Sequence, residues 1–315
     1  MTVANEREKA AFPRDEVEAA FAEYRRRGIG ALDWPGWAAL FTEDARYVEH
    51  VLGTFEGGQA ISDWIVSCMA GFPSMSFDLD WALIDGNRIV FYIWNLLPDP
   101  AGTGRRFGFP NATVLEYAGD GRWSYEEDFY NPANANAVVS EWLAAGGSTS
   151  TPPDQSLRAI PDTYPAPKTP PYPVEEVERE FAAYVERGRV AVETGDWVQW
   201  ANQFSPDASY NEHHYGTFTG RDAIRQWITD VMKPFPTMEF PVDWHMIDGN
   251  RVVMLCQNRL PDPEGRGRLF QFPVITVLHY DGDGQWGYEE DIYNPEEVPP
   301  IVTKWVEAGG VIPQA

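Results

Sequence analysis

The chain has 315 residues, 43% of them apolar, with 13 tryptophans, 17 phenylalanines and a formal charge of −24. That length suits two domains of ordinary size, each with a sizeable core. The charge excludes nucleic acid and an anionic membrane surface as partners, since both require clustered Lys and Arg. The start, MTVANEREKAAFP, lacks the apolar segment of a secretory leader, and no apolar run reaches the ~18 residues of a membrane span. Cys68 and Cys256 stand singly in apolar runs, without metal or disulfide spacing. A cytoplasmic protein is expected.

In chain order, Val17, Ala20, Phe21 and Tyr24 mark a helix over Pro13–Arg27. Trp34–Phe41 reads as a second, short helix, Thr42–Asp44 as a turn and Tyr47–Leu52 as a short strand. Gly57–Ala70 is a third helix, with Ala60, Ile61, Trp64, Ile65 and Cys68 on one face. Four strands are then expected over Ser76–Ile84, Arg88–Leu97, Arg106–Tyr117 and Arg122–Tyr130. The hairpin turns between them are Asp85-Gly86-Asn87 and Asp120-Gly121, which accept positive φ cheaply. Asn134–Ala145, carrying Trp142, closes the unit with a helix. Helices followed by a strand meander make an α+β domain.

The pattern then repeats. FPRDEVEAAFAEY from Phe12 matches YPVEEVEREFAAY from Tyr172, an offset of 160. GDGRWSYEEDFYNP from Gly119 matches GDGQWGYEEDIYNP from Gly282, an offset of 163, with eleven of fourteen positions identical. The difference places a three-residue insertion in copy two, near Glu193–Gly195. Two copies of this period are a domain duplication and not a solenoid. Copy one is assigned to 12–147 and copy two to 172–311, joined by a proline-rich linker over 148–171 whose prolines can neither continue a helix nor enter a sheet interior.

The order of helices, early strand and meander resembles the nuclear transport factor 2-like superfamily. DARYVEHVLGTFEGGQAISDWI is similar to its SnoaL-like branch and to the wording of ketosteroid isomerases. The resemblance implies two cone-shaped α+β barrel domains, each a curved antiparallel sheet over three helices, packed as an intrachain pseudo-dimer. It places His50 and His213 where those isomerases carry a catalytic aspartate. It also implies a cavity for a polycyclic, aromatic or terpenoid-like molecule, and isomerase, dehydratase, cyclase or epoxide-opening chemistry, though such a fold also hosts members without catalysis.

The residues themselves allow that chemistry. YVEHVLGTFEG from Tyr47 returns as YNEHHYGTFTG from Tyr210, so two of only five histidines occupy the same position. A histidine can move a proton at neutral pH without large tuning; the alternative is a hydrogen-bonded structural histidine. On a strand Glu49 and His50 face oppositely, and the histidine is taken as the cavity member. Asn95 and Asn258, each on an apolar strand face, could polarise a substrate oxygen or satisfy a strand end. Glu126 and Asp128 share a face, and Asp128 and Asp291 are expected to orient or charge the histidines, unless this strand is a solvated edge. The expected lining adds Tyr24, Trp64, Trp81, Phe91 and Phe109 in copy one, and Tyr184, Trp227, Trp244, His245 and Phe272 in copy two.

No metal spacing, calcium loop, phosphate loop, dinucleotide fingerprint or nucleophile elbow is found, so no cofactor is expected. A non-catalytic carrier of a hydrophobic ligand is the rival reading. Duplication relaxes the demand on either copy, and copy one, with a single histidine, is the one expected to have lost activity.

Overall fold

The computed structural model describes residues 12–151 and 172–313. They fall into two compact units, one for each copy. The linker expected over 148–171 lies outside the described residues from 152 onward. Among the described residues no helix is long and apolar enough to cross a membrane.

Copy one runs α1 (Arg14–Arg25), α2 (Trp34–Ala38), β1 (Phe41–Glu49), β2 (Gly53–Glu56), α3 (Gly58–Ala70), β3 (Ser76–Asp85), β4 (Arg88–Leu97), β5 (Phe107–Gly119), β6 (Arg122–Phe129) and α4 (Pro132–Ala144). Copy two repeats it as α5 (Val174–Thr194), α6 (Trp197–Trp200), β7 (Phe204–Glu212), β8 (Gly216–Thr219), α7 (Arg221–Val231), β9 (Val242–Asp248), β10 (Arg251–Leu260), β11 (Phe270–Gly282), β12 (Gln285–Ile292) and α8 (Val298–Glu307). In α1 the apolar stripe of Val17, Phe21 and Tyr24 is buried, while Asp15 and Glu16 in the first turn complement the helix dipole. A π-helical turn, Arg26–Gly30, follows it in copy one, whereas α5 runs on to Thr194 and stops at Gly195 in the left-handed conformation.

Each sheet has six strands, in the orders β2-β1-β6-β5-β4-β3 and β8-β7-β12-β11-β10-β9. The sheet is mixed where a wholly antiparallel one was expected. β1 pairs with β6 in parallel, because the chain returns to the first strand only after crossing α3 and the β3–β5 meander. β1 also starts earlier than expected. The predicted turn Thr42–Asp44 is a bulged stretch of strand, between the Phe41↔Trp123 and Arg46↔Tyr125 pairs. Gly57 and Gly220, at φ 91° and 87°, make the sharp entries into α3 and α7 that a side chain would strain.

Each core sits between the helices and one face of its sheet. Trp123 and Trp286 are fully buried there. Trp142 of α4 is buried too, its indole Nε1 donating to the Pro98 carbonyl at 2.8 Å, and Trp305 repeats the bond to Pro261. Trp142→Ala removes a large fully buried side chain, so copy one should lose about 3–5 kcal/mol, read as a lower urea midpoint for its transition at unchanged slope.

Candidate functional site

In copy one a cavity of about 330 Å³ opens between the helices and the sheet. Trp34, Trp37, Trp64, Phe77, Phe91 and Phe109 give it an aromatic wall, and Met69, Phe72 and Val139 add aliphatic and further aromatic surface. The polar groups come mostly from two adjacent strands. Period-two alternation turns Tyr47 and Glu49 of β1, and Glu126 and Asp128 of β6, toward the cavity. The parallel register sets Tyr47 beside Glu126 and Glu49 beside Asp128. Three carboxyls therefore share one wall of a mostly apolar chamber.

Each carboxyl is held differently. Asp128 accepts from Asn111 Nδ2 at 2.8 Å, from Thr113 Oγ1 at 2.5 Å and from the Tyr47 hydroxyl. Glu126 Oε1 accepts from the Tyr24 hydroxyl at 2.8 Å, while its buried Oε2 has no hydrogen-bond partner among the described residues. Glu49 Oε2 takes the backbone amides of Val51 and Leu52, fixing the turn into β2. Burial pushes Glu126 well above the usual carboxylate range, and the charge of Asp128 adds to it. Burial also raises Asp128, against the pull of Thr113, Tyr47, Asn111 and the charge of His50. Glu49 is raised by burial against the Tyr130 hydroxyl and the turn amides. The phenols of Tyr24 and Tyr47, buried beside these carboxyls, are pushed far up and remain protonated donors.

Asp128 has three donors and Glu126 one. Burial raises both, and the better-solvated Asp128 is the more easily ionised of the two. Such a wall can give a proton to a ligand oxygen and hold a negative charge alongside it.

Copy two repeats the arrangement with one donor fewer. Tyr184 donates to Glu289 at 2.8 Å, Tyr210 to Asp291 at 2.6 Å and Thr276 to Asp291 at 2.5 Å. Val274 stands where copy one has Asn111. Burial pushes Asp291 up to about 6, and Glu289 well above its ordinary range.

The histidines are elsewhere, which corrects the expectation that they face the cavity. His50 lies in the turn just past β1, its Nε2 2.9 Å from Glu127 Oε1, and Tyr125 donates to the same carboxylate at 2.8 Å. His213 sits 2.7 Å from Glu290, which Tyr288 also bonds at 2.8 Å. Glu127 and Glu290 alternate with the cavity carboxyls, so these pairs occupy the other face of the sheet. Glu49, expected to look outward, lines the cavity instead.

Tyr24, Trp64, Phe91, Asn95, Phe109 and Asp128 all line the chamber. Trp64 stacks on Phe55 at 4.5 Å, and Asn95 Nδ2 reaches the Phe109 carbonyl at 3.4 Å. Trp81 does not line it. The β3–β4 register slips between Leu79 and Trp81, and this bulge turns the indole to the far face, where it stacks on Tyr92 at 5.5 Å. A slip beside Trp244 similarly sets it opposite Leu255, on the face away from Met254 and Cys256. In copy two Tyr184 and Phe272 are buried, Trp227 stacks on Phe218 at 4.7 Å, and Asn258 is half-buried opposite Phe272. His245 meets Glu178 of α5 at 2.9 Å and packs on Phe181. The sequence reading missed Tyr47, Glu49, Asn111, Thr113 and Tyr130, and set aside Glu126. Strand parity alone groups Tyr47 with Glu49, but only the parallel pairing brings them to the carboxyls of β6.

A family model described as SnoaL-like domain matches residues 17–126 and 182–288. No curated protein matches the chain. Among solved structures, the chain is similar to a hypothetical protein with a ketosteroid isomerase-like fold from Catenulispora acidiphila, solved with trimethylamine. That match has 21% identity over 42% of this chain and 97% of that one, with a TM-score of 0.33. An LEH-like epoxide hydrolase of M. tuberculosis matches at 18% identity over 42% of this chain and 94% of that one, TM-score 0.33. An NTF2-like protein of unknown function from Burkholderia pseudomallei matches at 20% over 40% and 98%, TM-score 0.35.

The raised value of Asp291 has a direct thermodynamic consequence. Its folded-state value of about 6 lies above that of the unfolded chain, so folding takes up a proton. The associated stability is fully present below the unfolded value of ~3.9 and is lost as pH rises through about 6, a change of about 3 kcal/mol. Urea unfolding of copy two between those pH values should show this decline. Asp291→Asn should flatten it, and an unchanged slope would refute the assignment.

Proposed function

Because the chain belongs to the SnoaL-like domain family, we propose that it is a cofactor-independent acid/base enzyme of the isomerase, dehydratase or cyclase type. Its substrate is an uncharged, hydrophobic polycyclic or terpenoid-like molecule held in the aromatic chamber of copy one. The observation that carries this reading is Glu126: a fully buried carboxyl on the cavity wall, one oxygen unpartnered among the described residues, two residues from a second buried carboxyl. The protonated Glu126 gives its proton to a substrate oxygen through Oε2. The Asp128 anion takes a proton from the adjoining carbon or balances charge developing on the ring. Tyr24 and Tyr47 hold the two carboxyls in place, and Asn95 offers a second polar contact on the chamber wall. The chamber is within the usual size range of small-molecule sites.

The expectation that copy one is the inactive copy rested on counting histidines, and those histidines are on the other face of the sheet. Proton transfer can be tested without the natural substrate, by following exchange of the α-protons of a bicyclic ketone, 2-tetralone, in deuterated buffer by NMR. The full chain should accelerate exchange, and Asp128→Asn and Glu126→Gln should each lower the rate by about 10²–10⁴-fold. His50→Gln should change it by less than about tenfold. Binding of the ketone without exchange would favour a carrier, and a silent Asp128→Asn beside a dead His50→Gln would return the base to histidine.

A further inference from the structure

Copy two carries a feature that the acid/base reading does not use. A groove of about 490 Å³ lies where α5, α6 and the β11–β12 turn meet, and none of Tyr184, Glu289 and Asp291 lines it. The three-residue insertion near Glu193–Gly195 borders it through Thr194. Four side-chain amides line it: Gln199, Asn202, Gln203 and Gln285. At the offset of 163, copy one has Gly36, Ala39, Leu40 and Arg122 at those positions. Copy two has therefore acquired an amide cluster at one end of an otherwise shared framework.

The amides are oriented by their neighbours. Gln203 Oε1 accepts from Arg187 at 3.2 Å, Gln285 Oε1 from Arg221 at 2.6 Å and Asn202 Oδ1 from Arg225 at 3.0 Å. A guanidinium only donates, so each amide facing one must present its oxygen. Gln199 Oε1 is taken by Asn202 Nδ2 at 2.9 Å. All four oxygens thus already accept a bond, and the N–H groups are the less committed side of the cluster. Gln203 makes this pointed. The residue is 3% exposed, and its Nε2 has no hydrogen-bond partner among the described residues. Gln285 Nε2 reaches only carbonyls at 3.5 Å. A buried donor without an acceptor calls for one from outside.

The surroundings narrow the acceptor. Arg187 adds a guanidinium, whose nearest carboxylate, Glu180, is 4.0 Å away. Val190, Ala191 and Trp200 supply an apolar wall. Of the two acids in the lining, Glu186 is paired with Arg189 at 2.6 Å, and Asp196 accepts the Gln199 amide that opens α6. Two acids nearby in a chain of net charge −24 disfavour a multiply charged anion. We propose that this groove is a second ligand site, for a small organic monocarboxylate with a short apolar body, whose oxygens accept from Gln203 Nε2 and Arg187.

The probe is benzoate, titrated into the full chain while the Trp200 indole N–H is followed by NMR, that signal being assigned by its loss in Trp200→Phe. A saturable shift in the millimolar range is expected, with none from benzylamine, which has the same body and the opposite charge. Gln203→Glu keeps the oxygen that Arg187 needs and replaces the donor. Gln203→Leu restores the residue of copy one. Both should weaken benzoate at least about tenfold. No saturable shift, equal affinity in both variants, or an equal response to benzylamine would each overturn the proposal. No residue of the copy-one chamber enters the test, so it stands or falls apart from the acid/base reading.

Discussion

The structure turns on burying two carboxyls two residues apart on one strand. Water would hold both as anions, and an aromatic chamber cannot. The chain meets the cost with hydroxyl and amide donors drawn from distant elements: Tyr24 for Glu126, and Tyr47, Thr113 and Asn111 for Asp128. These donors come from α1, β1 and β5, and are aligned only when α1 crosses the sheet and β1 lies parallel to β6. The site and the topology are therefore a single requirement. An element that slipped would leave an uncompensated buried charge as well as a poorer core.

The duplication supplies a comparison within one chain. The tyrosine–carboxyl pairs recur in copy two with nearly the same distances, as does the histidine–glutamate pair on the opposite face. The apolar positions and single donors around them have changed: Met254 for Phe91, Cys256 for Ile93, Val274 for Asn111. The carboxyl framework is held while its solvation is tuned, and loss of one amide donor is the kind of change that moves a buried carboxyl without moving the backbone.

Much of this was legible in the sequence. The repeat, its insertion, the helix–strand order and the α+β class all follow from periodicity and turn chemistry, and the family likeness rests on the stretch around Tyr47–Gly57. The direction of β1 against β6 was not legible, because parallel pairing joins strands more than 70 residues apart and leaves no local mark. The histidines misled for a related reason. His50 lies at the end of its strand, where one residue decides which face a side chain serves, and rarity drew attention to it over the commoner glutamate beside it. Trp81 misled because alternation was carried straight through Asp80, where the strand bulges.

That bulge means that strand register, and not only side-chain identity, sets the free volume of the chamber. Phe77 and Leu79 pack inward on one side of it, while Trp81 stands outside on the other. Were Asp80 paired in the ladder like its neighbours, plain alternation would bring Trp81, the largest side chain of the strand, onto the concave face, filling space a ligand would need. A one-residue change of register would thus close the chamber with no change in composition at its wall, and the slip beside Trp244 gives copy two the same lever.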